Sequence, residues 1–205
     1  MRRMHLYLVI HSSQTALRNF SSFESDLIIF SDAAKTIKQK TAVNQVRDYA
    51  SKINGFRSLT IYHRPHNFGL AKSIIEGVTE VLKIHERVIV MEDDLVTSPY
   101  FLKYMNEGLD RFVEDERVIS LHGYIYPVEE SLPEAFFLRG ADCWGWATWR
   151  RSWQRHQLDI LGWQRDLPPR TLWSRSGRSV SGAVYWASTF ELLARGKVDT
   201  WDGQL

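Results

Sequence analysis

Three consecutive carboxylates, Glu92, Asp93 and Asp94, form the group of residues in this sequence best suited to chemistry. They directly follow the apolar run 88–91, which predicts a strand buried on both faces. Because neighbouring carboxylates repel one another, we expect them to need a cation or a cluster of hydrogen-bond donors. A divalent cation that also binds nucleotide phosphates needs only one or two carboxylates. The stretch therefore predicts a metal site at the end of a strand, and a solvated acidic turn is the alternative.

Apolar runs alternate with amphipathic segments along the first half of the chain. Strands are predicted at 6–10, 27–30, 58–62 and 88–91, with helices at 41–53 and 71–84. A further helix is predicted from Pro99 to about 113 with Ser98 as its N-cap, and further strands at 118–121 and 135–138. The alternation indicates a parallel sheet, whose ligands bind at the carboxyl ends of the strands.

The second half of the chain is rich in tryptophan. All eight indoles lie between Trp144 and Trp201, and four of them fall within 144–153. Such a density is typical either of a packed core or of a sugar-binding wall, and core packing is the better interpretation. Proline, arginine, serine and glycine between 158 and 181 predict a loop, and 184–194 reads as a helix that Gly196 ends.

Composition bounds the class of protein. The chain has 205 residues and a net charge of +2, which suits one globular domain and gives no electrostatic reason to bind nucleic acid. A single cysteine, Cys143, excludes an intrachain disulfide and a cysteine-based zinc site, so we expect a reducing, cytoplasmic setting. No window is long enough to span a membrane. No glycine precedes Gly55, which excludes a glycine-rich phosphate loop after the first strand.

Three motifs in order along the chain resemble bacterial glycosyltransferases of the GT-A type. They are VIVMEDDLVTSPYFLKYMNEGL, GWATWRRSW and TWDGQL. They are similar, more distantly, to the N-acetylglucosaminyltransferase I family, in which an EDD stretch, a Gly-Trp segment and a Trp-Asp segment recur in this order. The resemblance covers the chain from Leu27 to its last residue. It implies an α/β GT-A (nucleotide-diphospho-sugar transferase) fold, with a mostly parallel Rossmann-like sheet flanked by helices.

The resemblance also implies a division of labour within one catalytic domain, 1–205. Residues 1–122 would form the nucleotide-sugar-binding half and 123–205 the acceptor-side half. Such enzymes usually continue beyond the segment that ends this chain, so truncation at the C-terminus is an alternative left open.

Site residues follow from the resemblance position by position. Asp94 matches the acid that binds the metal directly, and Asp93 is the second candidate metal ligand. Asp93 and Glu92 match neighbours that help to hold the nucleotide and metal-bound water. Asp32, after the second strand, stands where such enzymes often meet the base or ribose. Asp202 matches the catalytic base. The implied cofactor is a divalent metal, Mn²⁺ rather than Mg²⁺, and the implied reaction inverts the anomeric carbon.

Elementary chemistry gives these roles a reason. A metal acting as a Lewis acid stabilises the charge on a departing diphosphate, and a carboxylate must take the proton of the acceptor hydroxyl. Asp202 is the expected base, although a turn or helix-capping aspartate is as common. The other candidates for the base are Glu92, Asp142 and Asp199.

Several polar residues elsewhere carry weaker predictions. Arg64, Asn67 and Lys72 are candidates for contacts with phosphate or base, and a solvated or capping role is the alternative for each. His122 is expected to be a satisfied core histidine. Arg150 and Arg151 are expected only to solvate the start of a helix.

The leading hypothesis is a metal-dependent inverting glycosyltransferase with a nucleotide-sugar donor and a glycan or glycolipid acceptor. Its setting would be surface polysaccharide or lipopolysaccharide synthesis at the inner face of the cell membrane, with peripheral membrane contact. One alternative is a truncated remnant that binds nucleotide sugars without turnover. The other, weaker one is a nucleotidyltransferase, against which the absence of early glycines counts.

Overall fold

The computed structural model describes residues 4–10, 22–138, 142–155, 162–175 and 180–198. These residues form two compact units. The first comprises the described residues up to position 124 together with 142–155, and the second comprises 125–138 with the described residues from 162 onwards. The first unit contains the whole β-sheet and most of the predicted site residues.

The first unit is a mixed α/β structure. Its strands are β1 (Met4–Ile10), β2 (Ser22–Ser31), β3 (Phe56–His63), β4 (Arg87–Glu92), β5 (Ser120–His122) and β6 (Trp146–Trp149). Its helices are α1 (Lys40–Ser51), α2 (Leu70–Ile84), α3 (Phe101–Arg111) and α4 (Arg150–Trp153), and a 3-10 turn covers Ile37–Gln39. The strands and helices predicted up to residue 121 are therefore present, with ends that differ by a few residues.

The six strands form one sheet in the order β3-β2-β1-β4-β6-β5. The first four are mutually parallel, whereas β6 runs antiparallel to both β4 and β5. The prediction of an α/β fold with a mostly parallel sheet is confirmed at this level. From β1 the chain moves outward through β2 and β3, and it then returns to the other side of β1 with β4.

Both faces of the sheet are covered by helices. Leu27, Ile29, Ile89 and Met91 pack with residues of α1 and α3 in one buried cluster. Successive side chains of a strand point to opposite faces, so the buried Val88 and Val90 of β4 face the other side. There α2 packs against β1 and β4. Coverage on both sides explains why β4 reads as a continuous apolar run.

Arg150 and Arg151 do more than solvate a helix start, which corrects the prediction. Each guanidinium donates to three backbone carbonyls at the end of another helix or in the few residues that follow it. The acceptors are the carbonyls of Leu82, Lys83 and His85 for Arg150, and of Phe112, Val113 and Asp115 for Arg151. The two arginines therefore cap α2 and α3 and fix the start of α4 against them.

Two further predictions are wrong. Residues 135–138 form no strand, and Phe137 and Leu138 are largely exposed. The described part of the expected loop 158–181 is largely helical, with α5 (Trp163–Asp166), α6 (Pro169–Arg175) and the first residues of α7 (Val180–Ala194). In the second unit, Phe190 and Leu193 of α7 pack with Trp163 and Leu167. No described helix is long and apolar enough to cross a membrane.

Candidate functional site

The acidic stretch lies where the sheet reverses its order of strands. β4 ends at Glu92, which is paired in register with Val9 of the neighbouring parallel strand β1. Because β1 leads to β2 on one side and β4 lies on its other side, the carboxyl ends of β1 and β4 flank a topological switch point. Open α/β sheets bind their ligands in the crevice at such a point.

The three acids differ in exposure. Glu92 is half-buried, Asp93 is 9% exposed and Asp94 is exposed. Asp94 is thus the carboxylate of the three that is most open to a ligand from solvent. Among the described residues, no group of three His, Cys, Asp or Glu side chains is arranged to hold a metal. A metal here would therefore depend on one or two carboxylates with phosphate or water as its other ligands, which is a usual arrangement for Mg²⁺. Metal binding stays a prediction.

Asp32 lies at the carboxyl end of β2 and is 4% exposed. Its carboxylate accepts hydrogen bonds from the backbone N–H groups of Ala33, Phe68 and Gly69 and from Asn67 Nδ2, at 2.8 to 3.1 Å. A carboxylate has about four acceptor positions, so these donors use its capacity. Asp32 therefore holds the loop between β3 and α2 in place, and the predicted contact with a base or ribose stays untested.

Arg47 of α1 completes this arrangement, and the sequence reading missed it. Its guanidinium donates to Ser31 Oγ at 3.2 Å and to the backbone carbonyls of Ser31, Asp32 and Arg64 at 3.2 to 3.3 Å. The ends of β2 and β3 are thereby joined. Its only sequence signal was a cation on a helix between two strands, which is too common to single it out.

Arg64 is nearly buried, which does not favour the predicted contact with phosphate. Its guanidinium lies 4.7 Å from the ring centres of both Phe30 and Phe68, and its Nη1 donates to Glu80 at 3.0 Å. Its Nε and Nη2 are buried and have no hydrogen-bond partner among the described residues. Arg64 therefore packs the β3–α2 loop against β2, with its charge balanced by Glu80 and two aromatic faces.

The other two candidates of this loop differ from each other. Asn67 Nδ2 also donates to the carbonyl of Ala33 at 2.8 Å, so its amide serves the loop. Lys72 is exposed at the first turn of α2, with its Nζ 4.6 Å from the Phe68 ring centre and 3.6 Å from Glu76. An exposed ammonium can still turn toward a ligand, so Lys72 keeps its predicted role as a candidate.

The tryptophans of 144–153 divide into two groups. Trp146, Trp149 and Trp153 are buried. Trp149 Nε1 donates to the backbone carbonyl of Leu109, and Trp153 Nε1 donates to the hydroxyl of a threonine on α2. Trp144 differs, because 40% of it is exposed. The interpretation of this segment as core packing is therefore confirmed for three of its four indoles.

His122 and Asp142 are joined at the end of β5. Ser120 Oγ lies 2.8 Å from His122 Nε2, and the Asp142 backbone N–H donates to His122 Nδ1 at 3.2 Å. Burial of the ring lowers the pKa of His122, against a smaller opposite effect of Asp142. The expectation of a satisfied histidine is confirmed. Asp142 Oδ1 accepts from the Trp144 backbone N–H at 3.0 Å, so this carboxylate already serves a turn.

The predicted base, Asp202, lies outside the described residues, as does Asp199. Their roles stay predictions. The residues that the structure brings together are Asp32, Arg64 and Asn67, at the same edge of the sheet that carries Glu92, Asp93 and Asp94.

Comparisons with known proteins return little. No protein-family model matches the chain, and no curated protein sequence matches it. Among solved structures, the chain is similar to "Crystal structure of S. aureus TarS 1-349", with a TM-score of 0.44 and 16% identity over 80% of this chain. The match covers 50% of the TarS chain, so this chain corresponds to about half of its length.

Proposed function

We propose that this chain is a metal-dependent inverting glycosyltransferase that moves a sugar from a nucleotide-diphosphate donor to a glycan or glycolipid acceptor. The position of Glu92, Asp93 and Asp94 at the switch point between β1 and β4 carries the proposal, because ligands of open α/β sheets bind there. The resemblance of the three motifs to GT-A glycosyltransferases supports it. The same resemblance favours an acceptor in surface polysaccharide or lipopolysaccharide synthesis.

The residues of the edge have separate tasks in this proposal. Asp94, the exposed acid, would hold the cation, with Asp93 and Glu92 behind it. A bound cation, Mn²⁺ rather than Mg²⁺, would supply positive charge to balance the diphosphate. The loop that Asp32 and Arg47 hold in place borders the same edge and would line the nucleotide pocket, with Lys72 supplying a mobile positive charge.

The transfer step also needs a base. As the acceptor oxygen forms its bond to the anomeric carbon, the bond to the diphosphate breaks and the hydroxyl proton passes to a carboxylate. Asp202 is proposed for this role from its motif. Asp142 is a weaker alternative because its Oδ1 already accepts from the backbone of Trp144.

Calorimetry with UDP, GDP, CDP, TDP and ADP tests the donor half of the proposal, each in Mn²⁺ and in chelator. One nucleotide should bind only with Mn²⁺. In Asp94→Asn, Mn²⁺ should no longer increase the affinity for this nucleotide, because the phosphates lose their bridge to the protein. Glu107→Gln is the matched control, since it neutralises an exposed acid of α3. Equal nucleotide affinity in Mn²⁺ and in chelator would contradict metal-dependent donor binding.

The alternatives give different results in the same system. A chain that binds a nucleotide sugar with Mn²⁺ but never releases the nucleotide product, with any glycoside offered as acceptor, is the non-catalytic remnant. A chain that releases pyrophosphate from a nucleoside triphosphate and a sugar phosphate is a nucleotidyltransferase. Release of a nucleoside diphosphate together with a new glycosidic bond identifies the glycosyltransferase.

A further inference from the structure

Two large aromatic side chains lie together on the surface of the first unit. Tyr124 and Trp144 are each 40% exposed, and their ring centres lie 4.5 Å apart at an interplanar angle of 67°. Keeping rings of this size in water forgoes the free energy of their burial. The pair differs in this exposure from the three buried indoles of the neighbouring segment.

The backbone holds both aromatic residues in place. Gly123 N–H donates to Gly145 O at 2.8 Å, which joins the residues next to Tyr124 and Trp144. The Trp144 N–H is bound by Asp142 Oδ1. Gly145 has φ of +73°, a conformation that side-chain-bearing residues rarely adopt, so the turn that follows Trp144 requires glycine. The pair is thus presented on a fixed turn.

The turn sits against the start of α3, beside the acidic stretch. A Cβ atom added at Gly123 or at Gly145 would lie 2.6 or 3.0 Å from the Phe101 ring. The same added atom at Gly145 would lie 3.9 Å from Leu95 Cδ1, and Leu95 directly follows Asp94 in the chain. The aromatic pair and the proposed donor site therefore share one neighbourhood.

From these observations we propose that Tyr124 and Trp144 form a platform that binds a pyranose ring of the acceptor. This proposal names a sugar as the ligand of this surface. The statement that the sugar is the acceptor rests on the proposed function. We call these two residues the aromatic platform.

Sugar chemistry fits the aromatic platform. One face of a β-glucoside carries only axial C–H bonds, which are weakly positive and apolar, whereas its rim carries hydroxyls. The face of an aromatic ring is negative because of its quadrupole, and tyrosine and tryptophan add an O–H and an N–H at their edges. A ring of the platform can therefore cover the C–H face while these polar groups bond the rim. Because the turn holds these rings in place, binding a sugar costs less conformational entropy.

Saturation-transfer NMR with methyl β-glucoside and methyl β-galactoside tests the platform without donor, metal or turnover. We expect a saturable signal, strongest for the axial protons of one face of the sugar. Trp144→Ala should weaken binding about tenfold, and Tyr124→Ala by a similar factor, because each removes a stacking surface. Trp144→Phe should retain most of the affinity, which separates loss of stacking from loss of folding.

Trp173→Ala is the matched control, since Trp173 is a 41% exposed indole of the second unit. It should leave the glycoside signal unchanged. The inference is overturned if the wild-type chain gives no saturable signal, or if Trp144→Ala and Tyr124→Ala bind glycosides as the wild type does. Glycoside binding that survives together with failed nucleotide binding would refute the proposed function and leave the platform standing, so the two failures are distinguishable.

Discussion

Asp32 shows how one side chain can look like a ligand and act as a support. Its carboxylate is buried at the end of β2, and four donors from positions 33 and 67–69 converge on it. Backbone N–H groups buried without an acceptor are costly, so this carboxylate determines the path of the β3–α2 loop. The loop borders the edge at which the donor is proposed to bind, so Asp32 acts on that site through the loop.

Asp32→Ala should lower the free energy of unfolding by about 3 kcal/mol, because it leaves buried N–H groups without an acceptor. Asp32→Asn should be less damaging, since its amide keeps one acceptor oxygen. Urea denaturation measures both values.

Asp48→Ala, an exposed acid of α1, is the control for the loss of a carboxylate and should change the stability little. An Asp32→Asn variant that keeps wild-type stability but loses nucleotide binding would contradict the supporting role and favour direct contact with base or ribose.

His122 makes the stability depend on pH in a direction that can be worked out. Burial lowers its pKa in the folded chain, so between its folded and unfolded pKa values the unfolded chain binds more protons. The stability due to neutral His122 is therefore complete above about pH 6.5 and declines as the pH falls below that value. His63 adds to the decline, because partial burial and the charge of Arg47 lower its pKa.

His122→Gln should reduce the loss of stability between pH 7.5 and 5.5, as measured by urea denaturation at each pH. His66→Gln is the control, because the imidazole of His66 is exposed. Asp115 does not interfere in this window, since Arg117 lowers its pKa to about 2. A pH dependence that is the same in His122→Gln and in the wild type would show that the ring of His122 stays accessible to protons.

At the scale of elements, the spacing of apolar residues predicted the strands and helices whose faces are buried. β4 and α2 could be read from the sequence because their apolar residues follow the period of a two-sided strand and of one helical face. The antiparallel β6 was not read as a strand, since its residues Trp146–Trp149 are all buried and show no alternation. Short apolar runs of this kind do not distinguish a strand from other buried segments.

Contacts between distant parts of the chain were beyond the sequence. Arg47, Arg150 and Arg151 each bind three or more groups that lie 15 or more positions away, and no local pattern announces such partners. The site was predictable in outline for a different reason. Acids that follow a buried strand stand at the carboxyl edge whatever the details of packing, so Asp32 and Asp94 could be placed there in advance.

The helices of the second unit show a further limit of prediction from sequence. Pro169 stands at the first position of α6, where a proline fits because its missing N–H has no partner in the helix. Composition alone suggested a loop there. In the structure, the apolar residues of α7 pack with Trp163, and this tertiary burial outweighs the weak helix propensity of serine and glycine.

At the scale of the whole molecule, the first unit is assembled from two separate stretches of chain. β5 precedes the segment 125–138 and β6 follows it, yet the two strands pair with Leu121 opposite Ala147. The connecting segment contains no helix or strand among its described residues. A break in it would leave the pairing of β5 with β6 and the capping by Arg150 and Arg151 intact.

Chymotrypsin should therefore make its first cut within the described residues at 136–138, where Phe137 and Leu138 are 72% and 71% exposed. Exposed segments outside regular structure are preferred sites of proteolytic nicking. The two fragments should elute together in gel filtration and melt within a few degrees of the intact chain, because the sheet of the first unit holds both. The variant with serine at positions 136, 137 and 138 should resist this cut. Fragments that separate under native conditions would show that β6 is not an integral strand of this sheet. A first cut inside α2 or α3 would contradict the preferential exposure of the backbone at 136–138.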